Sequence, residues 1–298
     1  MQNMKKLTGF LLTILVIAVV SLSFTSCGDP EEPDVPDTPV YTGAGVYNPG
    51  KKVSNIYMQM DEGAEYLSEE WIWNGNKVAS ISYFDEDGFV VREDFIYESN
   101  RINQIKNSNG YRSEYFYTDK KYEKVICYDS TDVLSMEILF QYDGDKIASL
   151  TIYNYGPAKN VKNVIERGFL GKLLPKGSRE IVAKKLINQP EDPSIVTYTY
   201  DGENLSSLTT DNVVLIYSDY DTHSNYQFNF YPISAGGTSI NSQALSKNNP
   251  GLMEFQIGTL NFLATLTYTY VGDFPTTIRT DISIMGETMV ALERIEYK

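Results

Sequence analysis

Apolar and polar residues follow one recurring pattern from residue 69 onwards. Each of six segments has an aromatic residue that we use as a reference: Trp73, Tyr97, Tyr117, Tyr142, Tyr200 and Tyr270. Every copy has a second aromatic two residues earlier, an apolar residue five residues later (Pro275 in the last copy) and an aliphatic residue eight residues later. With 13% aromatic residues in the chain, six such matches do not arise by accident, so the pattern indicates a structural repeat.

Each repeat is typical of a β-hairpin. Aromatics two residues apart point to the same face of a strand. A polar pair such as Asp143-Gly144 or Asp201-Gly202 then turns the chain, and the aliphatics lie on the return strand. One hairpin cannot bury its own apolar face, so neighbouring hairpins must pair. The sequence therefore predicts an all-β fold. Its meandering antiparallel hairpins form one large, strongly curved or barrel-like sheet in a single β-repeat domain over 46–298, with long loops and one short helix.

Two insertions interrupt this pattern. Residues 156–195 contain eight of the chain's 25 basic residues. We expect a hairpin there, with a strand near Glu180–Ile187; a basic amphipathic helix against a membrane or an acidic partner is the alternative. Residues 232–262 are rich in Ser, Asn and Gly, and we expect a long loop with a short helix at one end of the sheet.

The N-terminus has the three parts of an export signal. Lys5 and Lys6 precede an apolar run over 10–20, and small residues over 21–26 precede Cys27. The apolar run is shorter than the roughly 18–20 residues that a membrane-spanning helix needs. The sequence therefore predicts a lipoprotein signal peptide over 1–26; an uncleaved anchor is the alternative.

The segment SFTSC resembles a lipobox, the site at which bacterial lipoproteins are processed. Ser26 is the small residue that the pattern requires before the cysteine, while Phe24 stands where Leu is preferred. This resemblance implies that Cys27 is lipidated and becomes the first residue of the mature protein. Several acyl chains then give stable membrane attachment, at about 0.8 kcal/mol per buried CH₂ group.

An acidic, proline-rich tether follows over 27–45. Its prolines recur every third residue, which is the polyproline II period: Pro30, Pro33, Pro36 and Pro39. The acids after Cys27 resemble the signal that sends Bacteroides-type lipoproteins to the outer face of the outer membrane. We expect an outer membrane lipoprotein that faces the cell surface; a periplasm-facing anchor is the alternative.

The composition and net charge limit the classes of partner that the protein can bind. The 23 Tyr and 13 Phe favour sheet, and removal of residues 1–26 changes the formal net charge from −14 to −16 because it removes two lysines and no acid. Such a charge repels phosphate backbones, so nucleic acid is not expected as a partner. Charges on the outward faces, together with the lipidated tether, argue against a membrane-inserted barrel. Cys127 lies among apolar residues and is expected to be a small buried hydrophobe.

Few residues offer metal or catalytic chemistry. His223 is the only histidine, and it alternates with Asp219 and Asp221, so an extended chain would place all three on one side. These residues are the candidates for a cation site, against the alternative of a polar turn. We find no catalytic motif and expect neither a catalytic site nor a cofactor.

The units YDGDKIASL and YDGENLSSL, with LLPKGSREI, DYDTHSNYQFNF and YTYVGDFPTTIRT, resemble a family of Bacteroides-type lipoproteins over roughly residues 65–298. That resemblance implies a porin-like, all-β fold and no catalytic residues. The hairpin units are shared more loosely with YD-repeat surface proteins.

Taken together, these features predict a lipid-anchored, non-enzymatic envelope protein that binds a glycan, a peptide or a partner protein. A structural or accessory subunit of a surface assembly is the main alternative, and a hydrolase is the third.

Overall fold

The structure is a computed structural model, and it describes residues 43–155, 193–211, 213–237, 239–257, 260–284 and 287–298. Sixteen β-strands account for most of these residues: β1 Val53–Met60, β2 Tyr66–Asn74, β3 Lys77–Asp85, β4 Gly88–Glu98, β5 Arg101–Asn107, β6 Arg112–Thr118, β7 Lys121–Tyr128, β8 Leu134–Asp143, β9 Lys146–Asn154, β10 Ser194–Asp201, β11 Asn204–Thr209, β12 Val213–Ser218, β13 Leu252–Ile257, β14 Leu260–Val271, β15 Phe274–Ile284 and β16 Glu287–Tyr297.

The strands form a closed antiparallel barrel. Each strand pairs with its neighbour in sequence, and β1 pairs with β16 to close the barrel, with Ile56 opposite Ile295. The predicted all-β meander and its barrel-like curvature are therefore confirmed. In place of the one short helix that we expected, the described residues contain two 3₁₀ turns, Ala235–Gly237 and Ser242–Leu245.

Each of the six predicted hairpins closes with a two-residue turn. The first turn residue always has a positive φ, as a tight hairpin turn requires: Gly75, Ser99, Asp119, Gly144, Gly202 and Gly272. Because the strands alternate in direction, these six turns lie at the same end of the barrel, which we call the hairpin end. The opposite end carries the β1–β2, β3–β4, β5–β6 and β7–β8 connections, and we call it the open end.

A β-bulge occurs at the same place in all six hairpins. The register shifts immediately before the reference aromatic, for example between Phe116 and Tyr117, so that Glu123 on the return strand is the extra residue. An extra residue reverses the alternation of faces. The bulge therefore explains why positions five and eight residues after the reference aromatic, such as Tyr122 and Val125, both point inward and are buried.

Two of the reference aromatics connect their hairpins to the preceding ones by hydrogen bonds. The Tyr117 hydroxyl donates to the backbone carbonyl of Ile102 at 2.6 Å, and the Tyr200 hydroxyl donates to that of Ile147 at 3.0 Å. Both carbonyls belong to the bulge of the previous hairpin. The bulged backbone thus obtains a hydrogen-bond partner from the next repeat.

Basic side chains cover several of the same rings. The residue four places after one reference aromatic lies over the next reference ring, at 5.1–5.2 Å from its centroid, in four cases: Lys77 over Tyr97, Arg101 over Tyr117, Lys121 over Tyr142 and Lys146 over Tyr200. These cation–π contacts leave the charged head at the surface while the stem covers the aromatic ring. They tie adjacent repeats together at the hairpin end.

The two faces of the barrel wall differ in chemistry. The inner face is buried and mostly apolar, whereas the outer face carries ion pairs such as Arg279–Asp281 at 2.7 Å and Lys124–Glu137 at 3.5 Å. Arg294 on β16 also pairs at 2.8 Å with Glu65, which lies in the β1–β2 connection. Within the described part of the chain, no helix is long and apolar enough to cross a bilayer.

The second insertion differs from the prediction for residues 232–262. The structure places the insertion between β12 and β13, over 219–251, and residues 252–257 form β13. The predicted boundaries were wrong because the strand LMEFQI lacks the aromatic spacing of the repeats. Residues 156–192 of the first insertion, including the strand expected near Glu180–Ile187, lie outside the described residues, and its last two residues belong to β10.

Candidate functional site

Residues 219–251 enter the barrel from the hairpin end and fill much of its lumen; we call them the plug. At the hairpin end, the Tyr220 hydroxyl donates to the carbonyl of Leu205 at 2.5 Å, and the backbone N–H of Asn248 donates to Asn204 Oδ1 at 2.9 Å. Gly236 lies beside Tyr111, which precedes β6 at the open end. The plug therefore runs the length of the lumen and returns.

Wall side chains hold the tip of the plug. The Glu93 carboxylate accepts hydrogen bonds from the Tyr231 hydroxyl and from the backbone N–H of Ala235, both at 2.9 Å. Ser113 donates to the carbonyl of Ser234 at 2.8 Å, and Tyr115 donates to the carbonyl of Ile233. These contacts fix the tip against β4 and β6, on one side of the lumen.

A cavity of about 300 Å³ remains between the plug and the wall. Residues of β1–β4 and β14–β16 line it, together with Asn107 and several plug residues. Two of the lining residues, Asp85 and Val90, are exposed at the open end, so the cavity reaches the surface there. Its volume is at the lower end of the range for small-molecule sites.

The lining combines aromatic rings, amides and carboxylates. The rings are those of Tyr66, Trp71, Tyr83, Phe84, Tyr226, Phe230, Tyr231 and Tyr268. The amides are those of Asn107, Asn225, Gln227, Asn241, Gln243 and Asn249. Glu69, Glu93 and Glu293 supply the inner carboxylates, and no Lys, Arg or His occurs among the described residues that line the cavity.

Glu69 and Trp71 form one side of this cavity on β2. The indole Nε1 of Trp71 donates to the Glu69 carboxylate at 2.9 Å, and both residues are buried. A register shift in the β1–β2 pairing makes Ser68 an extra residue, which allows it to line the cavity beside Glu69. The Trp71 ring stacks on Phe230 of the plug at 5.1 Å between centroids.

Burial and the carboxylates keep the cavity tyrosines protonated. Burial raises the pKa of Tyr226 well above its usual value, and the negative charges of Glu293 and Glu69 raise it further. Burial likewise raises the pKa of Tyr83 and of Tyr231, with Glu93 as the next cause for each. These phenols therefore act as neutral hydrogen-bonding groups at physiological pH.

The predicted cation candidates lie at the hairpin end of the plug. Asp221 accepts hydrogen bonds from the Tyr270 hydroxyl and from the backbone N–H of Asn249 at 3.2 Å. The His223 ring stacks on Tyr270 with centroids 3.9 Å apart, and its Nδ1 lies 4.0 Å from the Asp221 carboxylate. Asp219 is exposed.

Within the described residues, no group of three His, Cys, Asp or Glu side chains is arranged to hold a metal ion. The structure thus brings Asp221 and His223 together in a turn, and the cation site stays a prediction. His223 does not line the luminal cavity.

The structure describes one of the two cysteines, Cys127, and not the other, Cys27. Cys127 is fully buried on the inner face of β7, as expected, and burial raises the pKa of its thiol to about 12. Cys27 lies outside the described residues, as do the signal peptide over 1–26 and the tether up to residue 42. The predicted lipidation and the predicted domain boundaries therefore stay predictions.

Sequence reasoning missed the luminal carboxylates, although the repeat contained a signal for them. Glu69 and Glu93 each stand four residues before a reference aromatic, which is an inward-facing position. Glu293 stands four residues before Tyr297, and the Tyr297 hydroxyl donates to the bulge carbonyl of Pro275 at 2.8 Å, as the reference tyrosines do. Acidic residues at positions that otherwise point inward mark the polar side of the lumen.

Solved structures that are similar to this chain include two porin-like proteins. One is a porin-like protein from Bacteroides uniformis, with a TM-score of 0.48 and 13% identity over 83% of this chain and 98% of that chain. The other is a porin-like protein from Bacteroides vulgatus, with a TM-score of 0.46 and 10% identity over 83% of this chain and 99% of that chain. No family model matches the chain, and no curated protein matches it.

Proposed function

We propose that this protein is a lipid-anchored envelope protein that binds a small glycan in the lumen of its barrel. The observation that carries this proposal is the cavity of about 300 Å³ beside the plug, which reaches the surface at the open end. Its aromatic, amide and carboxylate lining has the chemistry that sugars require. Ring faces pack on the apolar faces of a pyranose, and amides and acids bond its hydroxyls.

The wall of the barrel supports binding over the alternative of a structural subunit. Every described strand is paired on both sides, so the wall has no bare edge strand that could template an assembly. The only histidine of the chain, His223, is not among the described residues that line the cavity. Binding inside the lumen therefore has more support from the geometry than either alternative.

The outer face of the wall supports a barrel that stands off the membrane. Charged side chains such as Arg279, Asp281 and Arg294 point outward from the strands. A lysine or arginine on the lipid face of a barrel costs about 2–4 kcal/mol at the bilayer midplane. In this proposal the membrane contact is made by the Cys27 lipid, with the tether as a spacer.

The ligand proposal is tested by a panel of neutral, amino and acidic mono- and disaccharides, measured by isothermal titration calorimetry on the protein without its first 26 residues. We expect at least one sugar to bind. Ser68→Phe places a ring in the cavity and should abolish this binding, whereas Thr151→Phe, on the outer face of β9, should leave it unchanged. Circular dichroism establishes that both variants retain the barrel. If no sugar binds, or if Ser68→Phe binds as well as the wild type, the proposal fails.

The anchor is tested separately in cells. Wild type and Cys27→Ala are compared by membrane fractionation and by antibody labelling of intact cells. We expect wild type to be membrane-bound and labelled, and the variant to lose both properties. Membrane association that persists in the variant would contradict lipidation at Cys27. Wild type that is membrane-bound but protected in intact cells would place the barrel in the periplasm.

A further inference from the structure

We infer that residues 43–50, which precede β1 and which we call the strap, position the plug and so regulate binding in the luminal cavity; this inference rests on the proposed function. The strap docks on the wall at the hairpin end. The Ala44 N–H donates to the carbonyl of Lys120 at 2.8 Å, and Lys120 lies in the β6–β7 turn. The Ile102 N–H, in the bulge of the β4–β5 hairpin, donates to the carbonyl of Gly45 at 2.9 Å. The repeated features of the wall therefore hold the strap.

Gly45 allows the strap to pass close to the wall. Its N–H donates to the Tyr122 hydroxyl at 2.9 Å, and its φ is 75°. A Cβ at this position would overlap the Tyr117 hydroxyl, which is itself held by its hydrogen bond to the carbonyl of Ile102 at 2.6 Å. A larger residue at position 45 thus requires that the strap or the Tyr117 ring move.

Tyr47 connects the strap to the plug inside the lumen. Its side chain is 6% exposed, its hydroxyl donates to the carbonyl of Tyr226 at 2.5 Å, and its ring centroid lies 4.4 Å from that of Phe230. Phe230 in turn stacks on Trp71 at 5.1 Å. Tyr226, Phe230 and Trp71 line the cavity, whereas Tyr47 is not among the described residues that line it. Tyr47 therefore acts through the plug and is a positioning residue.

The part of the plug that Tyr47 contacts has little regular structure to hold it. Residues 225–230 form consecutive turns, in which the Phe228 N–H donates to the carbonyl of Asn225 at 3.1 Å. A buried carbonyl in such a segment depends on a donor from elsewhere in the chain, and its loss is costly. The place of the Tyr226 and Phe230 side chains in the cavity therefore depends on the docked strap.

The strap also joins the cavity to the anchored end of the chain. Residues 43–45 are the last three of the predicted tether. Coupling between two sites acts in both directions. A saccharide in the cavity should therefore keep the strap docked, and undocking of the strap should weaken binding of the saccharide.

The first test needs no ligand and uses the protein without its first 26 residues. Gly45→Ala should undock the strap and make hydrogen exchange, measured by mass spectrometry, at least about tenfold faster over 43–50 and over 225–231. Quenching of tryptophan fluorescence by acrylamide should also increase. The chain has two tryptophans, Trp71 and Trp73, and both have ring contacts with this cluster, at 5.1 Å to Phe230 and 6.1 Å to Tyr47.

Gly144→Ala is the matched control. Gly144 also has a positive φ, 59°, in a turn at the hairpin end, but an added Cβ there meets open space. Its exchange over 225–231 and its quenching should equal those of the wild type. Tyr47→Phe is a second variant, which keeps the ring and removes only the hydroxyl. It should speed exchange over 225–231 by a smaller factor than Gly45→Ala does, and it provides the test if Gly45→Ala does not fold.

The same variants are then titrated with the saccharide panel by calorimetry, with circular dichroism to establish that each is folded. Gly45→Ala should weaken every saccharide that binds the wild type by at least about tenfold, Tyr47→Phe should weaken it less, and Gly144→Ala should not weaken it. A purely structural role of the strap would lower stability and leave the affinity of the folded protein unchanged. The bound saccharide should also slow exchange over 43–50 in the wild type, while exchange along β9 stays the same.

Faster exchange over 43–50 alone in Gly45→Ala, with exchange over 225–231 as in the wild type, would overturn the inference and leave the proposed function in place. Unchanged affinity in that variant would do the same. If no saccharide binds the wild type, the proposed function fails and the regulation of binding fails with it. The exchange and quenching results then still decide whether the strap positions the plug.

Discussion

The wall of the barrel and its plug are built in opposite ways. The wall repeats one hairpin design, in which a strand ladder, a bulge and a reference aromatic recur at fixed spacing. The plug over 219–251 contains two 3₁₀ turns and isolated bridges, and side chains bond much of its backbone. For example, Asn225 donates to the carbonyls of Gln243 and Ser246 at 2.9 and 3.1 Å.

The lumen and the cavity inside it therefore arise from different parts of the chain. Sixteen strands enclose more space than the inward side chains of the wall fill, because barrel diameter grows with strand number. The plug fills part of that space with Tyr226, Phe230, Tyr231 and Ile233, all of which are buried. What the plug leaves open is the cavity. The repeated hairpin therefore determines the barrel, and the plug determines the shape of the cavity inside it.

Alkaline pH should have the largest effect on this arrangement. Burial raises the pKa of Tyr115 and Tyr198 in the wall and of Tyr226 and Tyr231 in the plug above their unfolded value of about 10. For Tyr220, which joins the plug to the wall, the pKa is about 12. A phenol whose folded pKa is raised stabilises the fold below its unfolded pKa, and this stability is lost as pH rises. We expect cooperative unfolding above about pH 10.

Ultraviolet absorbance of tyrosinate and circular dichroism, followed together against pH, measure this effect. If the buried phenols ionise in the same transition that removes the sheet signal, plug and wall form one cooperative unit. Ionisation of part of them while the sheet signal persists would show that the plug leaves an intact wall.

Truncation of buried isoleucines should have the next largest effect and compares the two regions directly. Ile105 in the wall and Ile233 in the plug are both fully buried. We expect Ile105→Ala and Ile233→Ala each to lower the free energy of unfolding by about 2–5 kcal/mol, measured by urea denaturation. Ile72→Ala, at an outward position that is 47% exposed, is the control and should cost less than about 1 kcal/mol. An unchanged midpoint for Ile233→Ala would show that the plug contributes nothing to the cooperative unit.

Two glycines with similar φ angles, one in the wall and one in the plug, allow a comparison of the two regions with a smaller expected loss of stability. Gly144 in a hairpin turn has φ of 59° and open space around an added Cβ, whereas Gly237 in the plug has φ of 67° and would place a Cβ 2.9 Å from Met136 Sδ. The positive φ costs a Cβ-bearing residue about 1–2 kcal/mol. We expect Gly144→Ala to show that cost alone and Gly237→Ala to exceed it, measured by thermal unfolding. Equal losses would mean that Met136 moves aside without cost.

The wall was predictable from sequence because its physics is periodic. Aromatics two residues apart define an inward face, and the turn residues Gly144 and Gly202 mark the reversals. The bulge could have been predicted too, since apolar residues such as Ile102 and Ile105 are three positions apart. In an unbroken strand that separation would place one of them outside.

The plug was not predictable, because its conformation depends on partners far away in sequence. Ala235 is held by Glu93, and Tyr47 donates to the carbonyl of Tyr226 at 2.5 Å, across 142 and 179 residues. A local sequence pattern carries no information about contacts between residues so far apart in the chain. Serine, asparagine and glycine over 232–262 therefore predicted a loop but not its position inside the barrel. The cavity was hidden for the same reason, although Glu69 and Glu93 at inward positions were a clue.

Neighbouring tyrosines on β6 give the smallest and most direct comparison. Tyr117 donates to the carbonyl of Ile102 at 2.6 Å and so joins two hairpins of the wall, whereas Tyr115 donates to the carbonyl of Ile233 and so joins the wall to the plug. Loss of a hydrogen bond costs about 0.5–1.5 kcal/mol, and a buried group left without a partner costs about 1–3 kcal/mol. Tyr115 is 3% exposed and Tyr117 is half-buried.

We therefore expect Tyr117→Phe to lower the free energy of unfolding by about 1 kcal/mol and Tyr115→Phe to lower it by more, because Tyr115 is the more deeply buried of the two tyrosines. Hydrogen exchange then shows which region each bond supports. Tyr117→Phe should speed exchange along β5 and β6, and Tyr115→Phe should speed it at Ala235 and its neighbours in the plug. Faster exchange confined to the wall in both variants would mean that the hydrogen bond from Tyr115 is dispensable for the position of the plug, which its remaining contacts with Glu93 and Ser113 then hold.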